Sequence, residues 1–366
     1  MKAMIVRATL AKAMDAVKGI APKDRLSRFA DIRLDATGGN FSLTATDGTV
    51  QVEYRVPCDE EGTGSVAVPG AQFLRFADSM PEGVVTVESR LPGRVEISGG
   101  GVNFRLPARD TLDFATMAGP GEGAARFSIP ERTLCEMLRK VRYAAARDER
   151  RAVLCGVNLS CSGAELLLTA ADGRRLSNVA HEVDVASGGK CAFDVTLPNR
   201  AADLLFGMLD GEETLSVEVD GKAIRIVGDS CCFTAKVLAD AYPNWRQIVP
   251  DGCKWAANLD RMLFLEGIRR AALASKEDGG VTVALHGGKM RFAARNEFDE
   301  ARIEVDGCSI GMDSATFTVD WRLMSDALSS IDEDRFALRQ NGPGSALEIR
   351  CSLPWVAVVM PFRKEG

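Results

Sequence analysis

The stretch Leu167-Leu168-Thr169-Ala170-Ala171-Asp172-Gly173-Arg174-Arg175-Leu176 decides how the rest of the chain is read. An apolar run enters Asp172-Gly173, and two arginines and a leucine follow at once. Asp-Gly between apolar segments signals a hairpin, because glycine adopts the positive φ that a tight turn needs. Taken alone, the stretch is a surface hairpin. It gains weight by recurring: Leu43-Thr44-Ala45-Thr46-Asp47-Gly48 matches Leu168-Thr169-Ala170-Ala171-Asp172-Gly173 at an offset of 125 residues. After the first turn Val50, Val52, Tyr54 and Val56 alternate with Gln51, Glu53 and Arg55, the period of a half-buried strand. A degenerate third copy runs from Phe292 to Val305, with Asn296 at the turn and Ala301, Ile303 and Val305 alternating behind it.

A second marker repeats independently. Val66-Ala67-Val68-Pro69 opens a helical pattern carrying Phe73, Leu74 and Phe76, and Val195-Thr196-Leu197-Pro198 opens one carrying Ala202, Leu205 and Leu209. Phe317-Thr318-Val319-Asp320 opens a third, with Leu323, Met324 and Leu328. Proline at the first helical position and aspartate at the cap are helix starts. Each repeat also begins with a helix. Thr9 to Lys18, capped by Thr9, carries Leu10, Ala13, Met14 and Val17 on one face. Pro130 to Ala145 carries Leu134, Met137, Leu138 and Val141, and Asn258 to Ala274 carries Met262, Leu265, Ile268 and Leu273. Two markers on nearly one period predict three homologous modules, each with two helices and antiparallel sheets, in an α+β fold. The boundaries fall at breaker-rich Gly119-Pro120-Gly121-Glu122-Gly123 and Pro250-Asp251-Gly252, giving modules 1–124, 125–251 and 252–366.

Charge is uneven between these elements. The six helical stretches hold twelve basic and nine acidic residues, whereas the remainder holds 33 and 42 within a net charge of −6. Such a chain can offer one mildly positive surface to a polyanion and stay acidic elsewhere. Mixed, solvated helix faces would produce the same count. The ten cysteines include no Cys-x-x-Cys pair, and the two histidines, His181 and His286, lie far apart, so no metal site or other cofactor is expected. The cysteines read as small buried apolar residues of a reducing compartment. No apolar run is long enough to span a membrane and no signal-peptide pattern opens the chain, so a cytoplasmic location is expected. Phosphate loops, nucleophile elbows and His-Glu-x-x-His are all missing, which favours a binding protein over an enzyme.

The three-module plan, the Asp172-Gly173-Arg174-Arg175-Leu176 segment, Tyr242-Pro243-Asn244-Trp245 with Ile248-Val249-Pro250, and the ending Val358-Val359-Met360-Pro361-Phe362-Arg363 together resemble the bacterial sliding clamp, the beta subunit of the replicative DNA polymerase. The resemblance covers essentially the whole chain. It implies a DNA-clamp fold and a head-to-tail homodimeric ring whose helices line a hole for duplex DNA, bound without regard to sequence. It implies no catalysis, no cofactor and no membrane. Its partners would be DNA polymerase subunits, a clamp loader and repair proteins, which dock through short peptide motifs.

Carried over residue by residue, the DNA-facing set is Lys12, Arg25, Arg75, Arg139, Lys140, Arg142, Arg147, Arg200 and Arg269. The partner-peptide pocket is Leu154, Gly173, Arg174, Arg175, Leu176, Pro243, Ile248, Val358, Met360, Pro361, Phe362 and Arg363. Within it, Leu176, Ile248, Val358 and Met360 form an apolar floor. Arg175 and Arg363 orient a peptide carbonyl or carboxylate, and Phe362 adds an aromatic wall. The dimer contact is Phe104 and Leu106 against Ala272 and Leu273. Ala171 and Arg174 flank the turn where the family often has threonine and histidine, and Gln247 stands where a basic residue is common. The residues themselves leave a second class open, a three-repeat interaction scaffold that does not encircle DNA.

Overall fold

The protein is described by a computed structural model covering residues 1–20, 27–89, 93–185, 191–238, 240–250, 252–311, 314–342, 344–351 and 354–362. Arg25, Arg363 and the Lys364-Glu365-Gly366 end lie outside the described residues. The chain divides into two compact units, one made of 1–132, 184–191 and 203–237, the other of 133–183, 192–202 and 238–366.

Each unit holds a nine-stranded antiparallel sheet. In the first, neighbours run β6 (Gly64–Pro69), β2 (Asp31–Thr37), β3 (Asn40–Thr46), β4 (Val50–Pro57), β18 (Cys231–Lys236), β17 (Ala223–Val227), β16 (Thr214–Val219), β10 (Ala125–Pro130) and β14 (Asp184–Val185). In the second they run β15 (Ala192–Pro198), β11 (Gly156–Ser162), β12 (Glu165–Ala171), β13 (Arg175–Glu182), β27 (Trp355–Val359), β26 (Leu347–Arg350), β25 (Arg335–Gln340), β19 (Trp255–Asp260) and β23 (Cys308–Ile310). The two orders are the same order. The first unit also contains a five-stranded sheet, β9 (Val102–Pro107), β8 (Arg94–Gly99), β7 (Val84–Glu88), β1 (Lys2–Val6) and β5 (Asp59–Glu60). The second contains a four-stranded one, β24 (Ser314–Asp320), β20 (Gly280–His286), β21 (Lys289–Arg295) and β22 (Glu300–Asp306).

The repeat is visible down to single atoms at three turns. Asp47 Oδ1 accepts from the N–H groups of Thr49 and Val50, both at 2.8 Å. Asp172 Oδ1 accepts from those of Arg174 and Arg175 at 2.8 and 3.0 Å. Asn296 Oδ1 accepts from those of Phe298 and Asp299 at 2.8 and 2.7 Å. A short side-chain acceptor at the first turn position closes the hairpin in all three, which is why asparagine serves where aspartate stood. Gly48 and Gly173 follow with φ of +85° and +89°.

Six helices complete the described residues: α1 (Arg7–Val17), α2 (Gly70–Asp78), α3 (Glu131–Val141), α4 (Asn199–Met208), α5 (Arg261–Ala272) and α6 (Trp321–Ser329). α1 buries Leu10, Ala13, Met14 and Val17 at the spacing expected, but it starts two residues before Thr9, with Val6 at the cap position and no side-chain cap. α3 buries Leu134, Met137, Leu138 and Val141. Asp320 caps α6 by accepting from the Arg322 N–H at 3.0 Å.

The expected apolar stripe of α5 is corrected. Asp260 caps this helix, and Phe264, Leu265, Gly267, Ile268 and Ala271 are buried, while Met262 and Leu273 are exposed. Phe264 lies edge-on to both Phe292 and Phe336 at 5.1 and 5.4 Å. A Cβ on Gly267 would collide with the Phe292 ring, so this glycine provides the close approach on which the aromatic cluster depends.

Candidate functional site

The second unit builds a groove around the Asp172 turn. Leu176 on β13 stands directly across from Val358 on β27, and these two form a buried cluster with Ala171 and Val356. Trp245, Val249 and Ala346 pack on it while remaining partly exposed. Trp245 belongs to a 3-10 turn, Trp245–Gln247, whose Asn244 side chain accepts from the Arg246 N–H at 3.3 Å. Pro243 is exposed just before it, and Ile248 just after it is 45% exposed.

Beyond β27 the chain stays pinned. The Met360 N–H donates to the Arg174 carbonyl at 2.8 Å, and the Phe362 N–H donates to the Thr318 carbonyl at 2.8 Å. Pro361 is buried, whereas the Met360 side chain is 38% exposed. The groove therefore has two apolar layers. Leu176 and Val358, each 1% exposed, lie beneath as core, and Met360, Ile248, Trp245 and Val249 offer the accessible surface. This corrects the expected floor, in which all four aliphatic residues were open.

The arginines divide their roles differently from expectation. Arg175 donates to Asp172 at 2.9 Å and to Asp326 at 2.6 Å, and its guanidinium lies 5.4 Å from the Tyr143 ring centre. Being mostly buried and doubly paired, it braces the turn instead of reaching for a ligand. Arg174 is the exposed cation, 3.4 Å from Asp320 and 5.7 Å above the Phe362 ring. Burial pushes the Tyr143 phenol up to about 12, against the opposing effects of Ser177 and Arg175. Burial likewise raises that of Tyr242. Gly173 has a φ of +89°, so a side chain there would be strained, and the Arg151 guanidinium would have to move aside for its Cβ. Leu154 is half-buried at the end of the 3-10 segment Glu149–Leu154, outside the Leu176–Val358 cluster.

Sequence reasoning missed Val356, Trp245, Val249 and Ala346. Trp245 and Val249 stood inside quoted motifs. The contribution of Val356 follows from strand pairing that no local pattern encodes.

Of the basic set, Lys12, Arg75, Arg147, Arg200 and Arg269 are exposed. Arg139 is paired to Asp332, with a 2.8 Å contact, and holds that carboxyl below its usual range. Arg142 is half-buried. Lys140 is only 5% exposed, and its carbonyl accepts from Ser177 Oγ at 2.6 Å and Trp355 Nε1 at 3.2 Å, which removes it from a DNA-facing surface.

At the expected dimer edges, Phe104 stacks on Phe76 at 4.5 Å and Leu106 is 2% exposed, so Leu106 is core and no contact residue. Ala272 is half-buried and Leu273 is 86% exposed. Among the described residues no three His, Cys, Asp or Glu side chains converge as metal ligands, and no helix is long and apolar enough to cross a membrane.

Fold and groove together define a repeat-built protein, with sheets joining one repeat to the next and an apolar cleft beside the Asp172 turn. Residues 1–118 match the family model for the N-terminal domain of the DNA polymerase III beta subunit, and residues 128–244 match that for its central domain. The beta sliding clamp of Staphylococcus aureus (strain Mu50) is 25% identical over 332 residues, 87% of each chain. That of Salmonella typhimurium is 24% identical over 99% of this chain and 100% of its own. A sliding clamp from Pseudomonas aeruginosa, solved bound to griselimycin, superposes with a TM-score of 0.92 at 23% identity, covering 99% of each chain. One from Bacillus subtilis gives 0.89 at 21%, covering 100% of this chain and 99% of that one. The chain belongs to the bacterial DNA polymerase III beta subunit family, the beta sliding clamps.

Proposed function

We propose that the protein is a DNA-encircling processivity clamp: two copies close head to tail into a ring, duplex DNA passes through it, and polymerases dock on it by short peptides. The observation that carries the ring is the pair of incomplete sheets. The four strands β24-β20-β21-β22 repeat the order of β6-β2-β3-β4, and the five strands β9-β8-β7-β1-β5 repeat that of β18-β17-β16-β10-β14. Pairing β22 of one copy with β9 of the other restores the nine-stranded sheet seen twice within the chain. It also removes two open strand edges, which otherwise invite aggregation. Modules 1–124, 125–251 and 252–366 would then contribute six repeats to the ring. The family matches stopping at 118 and resuming at 128 support the first boundary.

Such a device needs no catalytic group. Topology holds it on DNA, so the contacts can be weak, electrostatic and directed at phosphates. Exposed Arg75, Arg147, Arg200 and Arg269 suit that task. The groove at Asp172 is the docking site for polymerase subunits, repair proteins and the loader that opens the ring. Met360, Ile248 and Trp245 offer its apolar surface, and Arg174 supplies the directional cation.

The test is topological. After enzymatic loading onto a nicked circular plasmid, the protein should co-elute with the DNA and leave it when the circle is cut. Retention on linear DNA, or none on the circle, would favour the scaffold that does not encircle DNA.

A further inference from the structure

The repeat that built the Asp172 groove built a second cleft in the first unit, and its chemistry has changed sign. The two sites correspond position by position. β4 is flanked by β3 and β18 as β13 is by β12 and β27. Gln51 faces Thr234 where Leu176 faces Val358. The Lys236 N–H donates to the Thr49 carbonyl at 2.9 Å, as the Met360 N–H donates to that of Arg174 at 2.8 Å. Lys236 therefore stands where Met360 stands, and two polar residues replace the apolar pair beneath.

This first-unit cleft encloses about 690 Å³ and is lined by the Gly48 turn, the connecting segment 115–119, Arg28, Phe29, Lys222 and Lys236. Its walls are pinned. The Met117 N–H donates to Gln51 Oε1 at 2.8 Å, and the Gly121 N–H to Asp220 Oδ2 at 2.9 Å. A Cβ on Gly48 would meet the Phe29 ring at 2.6 Å, so turn and ring are packed together. Arg28 lies 4.6 Å from the centre of the same ring. Three exposed cations thus surround the cleft. Among the described residues the lining carboxylate is Asp220, occupied by the N–H groups of Gly121, Lys222 and Ala223. In a chain of net charge −6 this is a local positive site with an aromatic wall.

We propose that this cleft is a second peptide-docking groove, specific for an acidic segment of a partner protein, one carrying several Asp or Glu side chains around an aromatic residue. The inference rests on the peptide reading of the Asp172 groove. Repetition preserved the strand-and-turn frame that receives an extended segment, and substitution of Met360 by Lys236 and of Leu176 by Gln51 at matched places exchanged apolar for anionic preference. A clamp with both grooves can hold two partners, or two segments of one partner, without competition.

The test uses the full-length protein and two fluorescent peptides in polarisation assays, acidic Asp-Glu-Phe-Glu-Asp-Leu and apolar Gln-Leu-Ser-Leu-Phe. Wild type should bind both, and neither should displace the other. Lys222→Glu with Lys236→Glu should weaken the acidic peptide by about tenfold or more and leave the apolar one unchanged, which also reports an intact fold. Lys236→Gln should give an intermediate loss, and Met360→Ala the reverse pattern. The proposal is overturned if the acidic peptide does not bind, is displaced by the apolar one, or binds the double variant as well as wild type. It is overturned equally if single-stranded oligo-dT occupies the cleft in preference to the peptide. Failure of the apolar peptide alone would remove the Asp172 reading and leave the acidic result to decide the present one.

Discussion

At the scale of single residues, the groove makes its sharpest distinction between Leu176 and Met360. Both are apolar and both border the Asp172 turn, yet one is core and the other is surface. Leu176→Ala should lower stability by about 2–5 kcal/mol through the cavity it leaves. Met360→Ala should barely shift the thermal midpoint and should weaken a Gln-Leu-type peptide by about 1 kcal/mol or more. A melt and a polarisation titration on each variant check the pair, and equal loss of stability in both would mean that Met360 belongs to the core. The sequence announced the turn, since Asp172-Gly173 has one economical conformation. It could not announce that Arg175 is committed, because its partner Asp326 lies 151 residues away. Lys140 was misplaced for the same reason. It is buried, with its backbone carbonyl taken by Ser177 and Trp355 arriving from distant strands, while its neighbours suggested an exposed basic run.

At the scale of elements, hydrophobic period located six helices and the strands beside the repeated turns, because a face that must be buried leaves its spacing in the sequence. It failed on α5, where Gly267 is needed for the Phe292 ring to approach and carries no hydrophobic signal of its own. The dimer contact that the resemblance implied at Leu106 is corrected too, since that side chain points into the core. The DNA-facing prediction is now restricted to exposed cations, Arg200 and Arg269 on helices and Arg147 on the segment after Arg142–Ala144. Reversing Arg147, Arg200 and Arg269 to glutamate should leave the fold intact, because exposed charges contribute little to stability. It should weaken association with loaded circles most at low salt and flatten the slope of log affinity against log salt, by about 0.9 for each phosphate no longer neutralised. Binding measured across a salt series decides it, and an unchanged slope would place these residues away from DNA.

At the scale of the whole molecule, the proposed ring predicts a partner for each of the two smaller sheets. The protein should sediment as a dimer at micromolar concentration, and Leu273→Glu should yield folded monomers, since Leu273 is already exposed within one chain. Amide exchange provides a second reading. The β9 and β22 amides should gain protection as concentration rises, while those of β5 and β24, at the opposite edges of their sheets, should not. A concentration-independent monomer with uniform exchange would refute the closure.

Joining β22 to β9 has a consequence for direction. A head-to-tail junction relates two copies by rotation about the axis of the hole, with no inversion of either copy along that axis. In the proposed ring the Asp172 turn of each copy would therefore emerge at the same height on the same side. That ring would have a front and a back, and every protein hooked into the cleft would approach from the front. Threading onto a duplex then becomes a choice of heading. A ring put on backwards would still slide, but it would offer its hooks to the wrong end of the primer.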